Sequence, residues 1–165
     1  VEVVDTPGTN ALDREHEALT ERFIPPSDVV LFVTSADRTF TESERAFIER
    51  IRSWGKKLVF IINKVDILRS DEWRAEVERF VAENAEWLLG FSPEVFSLSS
   101  RQALEAKVDG DENGRLMRLS RFGVFEKYLV ETLDDNQRVR LKLLNPLGVG
   151  LNLAERYRQA TQGSL

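Results

Sequence analysis

The chain has 165 residues, 42% of them apolar, enough to bury the core of one globular domain. A formal charge of −5 argues against a partner held by a broad basic field, so nucleic acid is not an expected partner. There is no cysteine, which excludes disulfides. No apolar run approaches the roughly 18–20 residues of a membrane span, and the piece is expected to be soluble.

Short apolar runs alternate with amphipathic stretches, the rhythm of an α/β fold with a mostly parallel sheet and crossover helices. The expected strands are Val1–Val4, Val29–Val33, Leu58–Ile62 and Val95–Ser99. The second and third are apolar at consecutive positions, as strands buried on both faces should be. A helix is expected from Thr41, whose spacing to Glu44 is that of a capping box, with Phe47, Ile51 and Trp54 inward and Gly55 as its stop. Another should run from Ser70 to Gly90 with Trp73, Val77, Phe80 and Leu88 on one face. After the polar loop around Asp109, Asp111 and Glu112, Leu119, Phe122, Phe125, Leu129 and Leu133 predict a single helix on the sheet. Beyond it, the pattern predicts helix to Asn145, a break at Pro146 and helix again from about Leu151.

Ligands of open α/β sheets bind at the carboxyl ends of the strands. The loops there read "DTPG" (Asp5, Thr6, Pro7, Gly8), "TSADRTF" (Thr34–Phe40), "NKVD" (Asn63–Asp66) and "SSRQA" (Ser99–Ala103). Asp5 suits a water of a magnesium ion bridging terminal phosphates. Gly8 lets a backbone N–H approach a γ-phosphate. Asp66 offers two acceptors to the N1–H and 2-amino group of guanine, a fork that adenine lacks. Asn63 can buttress base and loop, and the stem of Lys64 can cover the ring. The amide of Ser100 is expected to meet the guanine carbonyl.

"DTPG", "NKVD" and the Ser99, Ser100, Arg101 loop resemble the third, fourth and fifth motifs of GTP-binding proteins, the last of which is usually Ser-Ala-Lys. The wider phrases "FIPPSDVVLFVTSADRTFTESERAFIERI", "LVFIINKVDIL" and "NQRVRLKLLNPLGVG" look like the dynamin-like branch, with bacterial dynamin-like proteins, mitofusins and plastid fuzzy-onion-like proteins as its nearest relatives. The resemblance covers roughly residues 1–145. It implies a P-loop GTPase-type three-layer fold, with residues 1–133 the carboxyl-terminal part of a GTPase domain cut before its third strand and residues 134–165 the start of a helical neck. It also implies GTP or GDP with Mg2+ as ligands, and hydrolysis of GTP by the full-length protein to drive membrane fusion, fission or tubulation. The implied partners are a second copy through the nucleotide face, near Asp37 and Arg38, and a lipid membrane held by segments outside this chain. The cytoplasmic face of a membrane, or a plastid membrane, is the implied location.

The phosphate loop and first switch that precede "DTPG" in such proteins are not found in the chain, so this piece is expected to be inactive alone. Thr9 follows Gly8 where Ras-like enzymes carry a water-orienting Gln, and no catalytic residue is assigned. His16, Arg14 and the acidic loop fit solvated surface better than chemistry. A GTPase of the ribosome-assembly or translation class would share "DTPG" and "NKVD" but should add a basic RNA-binding module. A degenerate GTPase-like scaffold is the non-enzymatic alternative.

Overall fold

The computed structural model describes residues 2–6, 24, 26–111, 113–133, 150, 154 and 158. Three parallel strands, β1 (Val29–Ser35), β2 (Lys57–Asn63) and β3 (Glu94–Ser97), pair in the order β1-β2-β3. Helices α1 (Glu42–Ser53) and α2 (Asp71–Leu89) make the crossovers, and α3 (Ser100–Val108), α4 (Arg115–Ser120) and α5 (Phe122–Thr132) follow the last strand. Val29 pairs with Lys57 and Ser35 with Asn63, while Val59 pairs with Glu94 and Ile62 with Ser97. This register brings the ends of all three strands to one edge.

Local chemistry sets the helix ends. Thr41 and Glu44 close a reciprocal capping box at α1, satisfying two backbone donors that have no partner inside the helix. Glu44 also accepts from the buried Thr34 hydroxyl at 2.8 Å, tying the start of α1 to β1. Ser70 caps α2, and Gly90 ends it at φ 80°, a left-handed turn that favours glycine.

The sheet is covered differently on its two faces. Phe32 of β1 and Leu58, Phe60 and Ile62 of β2 pack with Ile48 and Ile51 of α1 and with Val81, Ala85, Leu88 and Leu89 of α2. On the opposite face, Ile61 and Leu98 meet Phe125 of α5, flanked by Phe96, Phe122 and Leu129. Helix α5 covers β2 and β3 but leaves Leu31 and Val33 of β1 exposed. The expectation that β1 is buried on both faces therefore fails among the described residues.

Four further expectations are corrected. Residues 2–6 form no strand, and Val3 and Val4 are exposed, because the ladder described here offers them no partner and an extended segment gains its order only by pairing. Along α2, Leu88 is buried and Val77 packs against the core as expected, but Trp73 and Phe80 are exposed and Val81, Ala85 and Leu89 complete the inward face; spacing gave the period and the tertiary contact adjusted its phase. The expected single helix from Leu119 is two, broken at Arg121 with φ 58°, which leaves Leu119 exposed. The loop after β3 begins a helix, α3, capped by the Ser99 hydroxyl accepting from the Gln102 amide at 3.2 Å. The Ser-x-x-Gln spacing was the available signal for that helix.

Phe60 is fully buried against Phe32 and Phe40. Replacing it by Ala should cost about 3–5 kcal/mol, whereas Val33→Thr on the uncovered face should stay within about 0.5 kcal/mol. Urea midpoints of the two variants check the contrast.

Candidate functional site

The polar edge begins where β2 runs out of apolar residues. Asn63, half-buried at the strand end, accepts through Oδ1 from the Lys64 amide at 2.7 Å and from the Ser100 amide at 3.0 Å. One side-chain oxygen thus holds the loop after β2 against the loop after β3. Lys64 turns through a left-handed conformation, φ 64°, uncommon for a residue with a Cβ, and the chain enters a short 3-10 turn at Val65–Ile67. Backbone bonds from Val65 N to Leu98 O at 3.3 Å and from Leu98 N to Ile62 O at 2.9 Å complete the seam.

That turn folds Asp66 back toward β3. Its side chain is 6% exposed, and Oδ2 accepts from Arg101 Nη2 at 2.8 Å and Nε at 3.3 Å. Oδ1 is buried with no hydrogen-bond partner, a condition costly for a carboxylate unless a ligand completes it. Burial alone raises the Asp66 pKa, but the polar surroundings of the Ser99 and Arg101 side chains and its own backbone, with the Arg101 charge, outweigh it and hold the carboxyl below its ordinary value. Ser99 is fully buried and its amide donates to Ser120 O at 2.9 Å, so α4 anchors the start of α3.

The loop after β1 reaches the same edge, its Ala36 amide donating to Asn63 O at 2.9 Å. Asp37 and Arg38 are exposed there. The Ser35 hydroxyl donates to Asp37 Oδ1 at 2.5 Å, and this bond, with Lys64 and Arg38 nearby, lowers the Asp37 pKa. Of the motif residues, the structure thus gathers Asn63, Lys64, Asp66, Ser99, Ser100 and Arg101, with Asp37 and Arg38 on the same edge. Asp5 is exposed and Thr6 half-buried, and no hydrogen bond or ion pair among the described residues joins them to the cluster. Pro7, Gly8, Thr9, Arg14 and His16 lie outside the described residues, as do Leu141–Gly148; Gly150, Ala154 and Arg158 are helical and exposed. The sequence reading missed the Arg101–Asp66 pair. Its signal was a basic residue in the first turn of a helix, where the dipole disfavours it unless a carboxylate is near.

The model of the Dynamin family matches residues 1–65, a span that ends inside "NKVD" with Asn63 at the β2 tip. Over that span the chain is similar to dynamin-family proteins. It is 39% identical over 170 residues to a "Probable transmembrane GTPase FZO-like, chloroplastic" of Arabidopsis thaliana, a match covering 93% of this chain and 19% of that protein. It is 30% identical over 151 residues to an uncharacterized protein of a Caldicellulosiruptor strain, covering 89% of this chain and 36% of that one. A bacterial dynamin, solved as an oligomerised pair described as sensing and tethering membranes, shares the fold with TM-score 0.66 at 20% identity, over 96% of this chain and 29% of its own. The chain thus spans well under half the length of each of these proteins. The expected α/β GTPase-type fold is borne out by this likeness.

Among the described residues no group of three or more His, Asp or Glu side chains is placed to hold a metal ion. The exposed Asp5 carboxylate fits Mg2+ of the kind that keeps its waters and is carried in by substrate phosphates, not a metal caged by protein. No described helix is long and apolar enough to cross a membrane.

The depressed Asp66 value has a pH consequence. A carboxyl lowered in the folded state contributes stability above its ordinary value of 3.8, and that contribution is lost as pH falls through the lower folded value. A carbon-13 carboxyl titration should place the Asp66 midpoint below 3.8, and Arg101→Ala should raise it, since burial then faces weaker opposition.

Proposed function

We propose that this chain carries the guanine-recognition part of a dynamin-like GTPase, which hydrolyses GTP with Mg2+ to remodel membranes. The observation that carries the reading is the nearly buried Asp66, whose Oδ1 has no partner, on an edge where Asn63 clamps two loops. Guanine presents N1–H and a 2-amino group side by side, one donor for each carboxylate oxygen. Adenine offers an acceptor at N1 and no 2-amino group, so it would leave Asp66 desolvated and unpaired, and a mismatch of this kind discriminates strongly.

Each neighbour has a part. Asn63 orients the loops by its two amide bonds, and the Lys64 stem lies beside the base plane. The Ser100 amide, which donates to Asn63, stands at the rim where the guanine carbonyl would arrive, and Thr6, Pro7 and Gly8 are assigned to the phosphates with Asp5. Asp5 would hold a water of the magnesium ion, whose charge offsets the charge developing on the phosphates. The exposed Asp37 and Arg38 on the same edge suit an opposing copy across the nucleotide face, with Asp37 of one copy facing Arg38 of the other.

Residues 1–133 form the GTPase part in this reading, and 134–165 the start of the neck segment. Contact with lipid, at the cytoplasmic face of a membrane or in a plastid, belongs to segments outside this chain. The names of the relatives support this placement, one a chloroplastic transmembrane GTPase and another a membrane-tethering bacterial dynamin.

Asp66→Asn replaces one acceptor by a donor and should shift preference from guanine to xanthine nucleotides. Competition between GTP and xanthosine triphosphate on the full-length variant checks this; unchanged guanine preference would remove Asp66 from the base site.

A further inference from the structure

Arg101 sits in the first turn of α3, beside the positive end of the helix dipole, an unfavourable place for a cation. Its guanidinium is nonetheless held there by two carboxylates. Nε and Nη2 lie 3.3 and 2.8 Å from Asp66 Oδ2, and Nη1 lies 3.1 Å from Glu105 Oε1. The Arg101 side chain is 65% exposed while that of Asp66 is 6% exposed, so a solvent-facing cation covers a nearly buried anion.

We infer that Arg101 is a built-in competitor for the base-reading carboxylate, a placeholder that pairs with Asp66 and must swing away before guanine binds. The inference rests on the guanine-site reading above. The chemical likeness is direct: the Nε–H and Nη2–H2 edge of a guanidinium is the same N–H and NH2 fork that guanine presents through N1–H and its 2-amino group. Adenine has no such fork and cannot replace the arginine in kind.

The geometry also explains why the exchange runs toward the base. Arg101 spends both donors on Oδ2 and leaves Oδ1 buried without a partner. A base lying in the carboxylate plane gives one donor to each oxygen, so binding satisfies the oxygen that Arg101 leaves without a partner. The displaced guanidinium is not stranded, because Glu105, one turn along α3, already holds its Nη1. A pair whose cation faces solvent, as here, biases its equilibrium by a factor of about two to five, and apparent nucleotide affinity falls by the fraction of sites it closes. Arg101 would thus loosen the site toward any nucleotide and return to Asp66 as the base leaves, favouring release without altering which base is read.

Calorimetric titration of the full-length protein with GDP and Mg2+ tests this. Arg101→Ala should bind GDP about two- to fivefold more tightly than wild type, and Arg101→Lys, which keeps the charge but not the fork, should fall between. In an Asp66→Ala background the same Arg101→Ala change should have no effect on GDP affinity, a coupling that a merely structural arginine would not produce. Unchanged or weaker GDP binding by Arg101→Ala, with Asp66→Asn still turning preference to xanthine, would overturn the placeholder and leave the base site standing. Unchanged guanine preference in Asp66→Asn would overturn both together.

Discussion

The single oxygen of Asn63 that accepts from the amides of Lys64 and Ser100 is the contact on which the polar edge depends. It closes the gap between two loops that follow different strands and stand 37 residues apart in sequence. Without it, the two amides would need other partners, and the turn at Lys64 would lose the bond that favours its left-handed backbone. Everything that gives Asp66 its direction follows from that turn.

Behind Asn63 stands a constraint of burial. Leu58, Val59, Phe60, Ile61 and Ile62 are all buried, so β2 has no face on which a polar side chain could reach water. Its polar groups are pushed to the strand end, where the backbone ladder stops and side chains take over the hydrogen bonding. The parallel register then places the ends of β1 and β3 alongside. An apolar middle strand thereby concentrates the chemistry of three loops in one place, as open α/β sheets generally do.

The same edge shows how burial and charge are balanced. Asp66 is nearly buried, yet its carboxyl is held in the ionised form because Ser99, Arg101 and the backbone oppose the cost of burial. Asp37 lies in the open and is held ionised chiefly by the Ser35 hydroxyl. One is an anion kept ready inside a crevice, the other a surface charge fixed in orientation.

Much of this was legible in the sequence. The apolar runs located β1, β2 and β3, the Thr41–Glu44 and Ser70–Gly90 signals located α1 and α2, and "NKVD" with the Ser99–Arg101 loop marked the residues that the structure gathers. These are local properties, since capping, backbone preference and consecutive burial are written in neighbouring residues. Tertiary structure alone decided which face of α2 turns inward, that Leu31 and Val33 stay uncovered, that residues 2–6 gain no strand partner, and that Arg101 reaches Asp66. Each of these depends on what another segment places opposite, and a period or a motif fixes spacing along one segment without fixing what it meets.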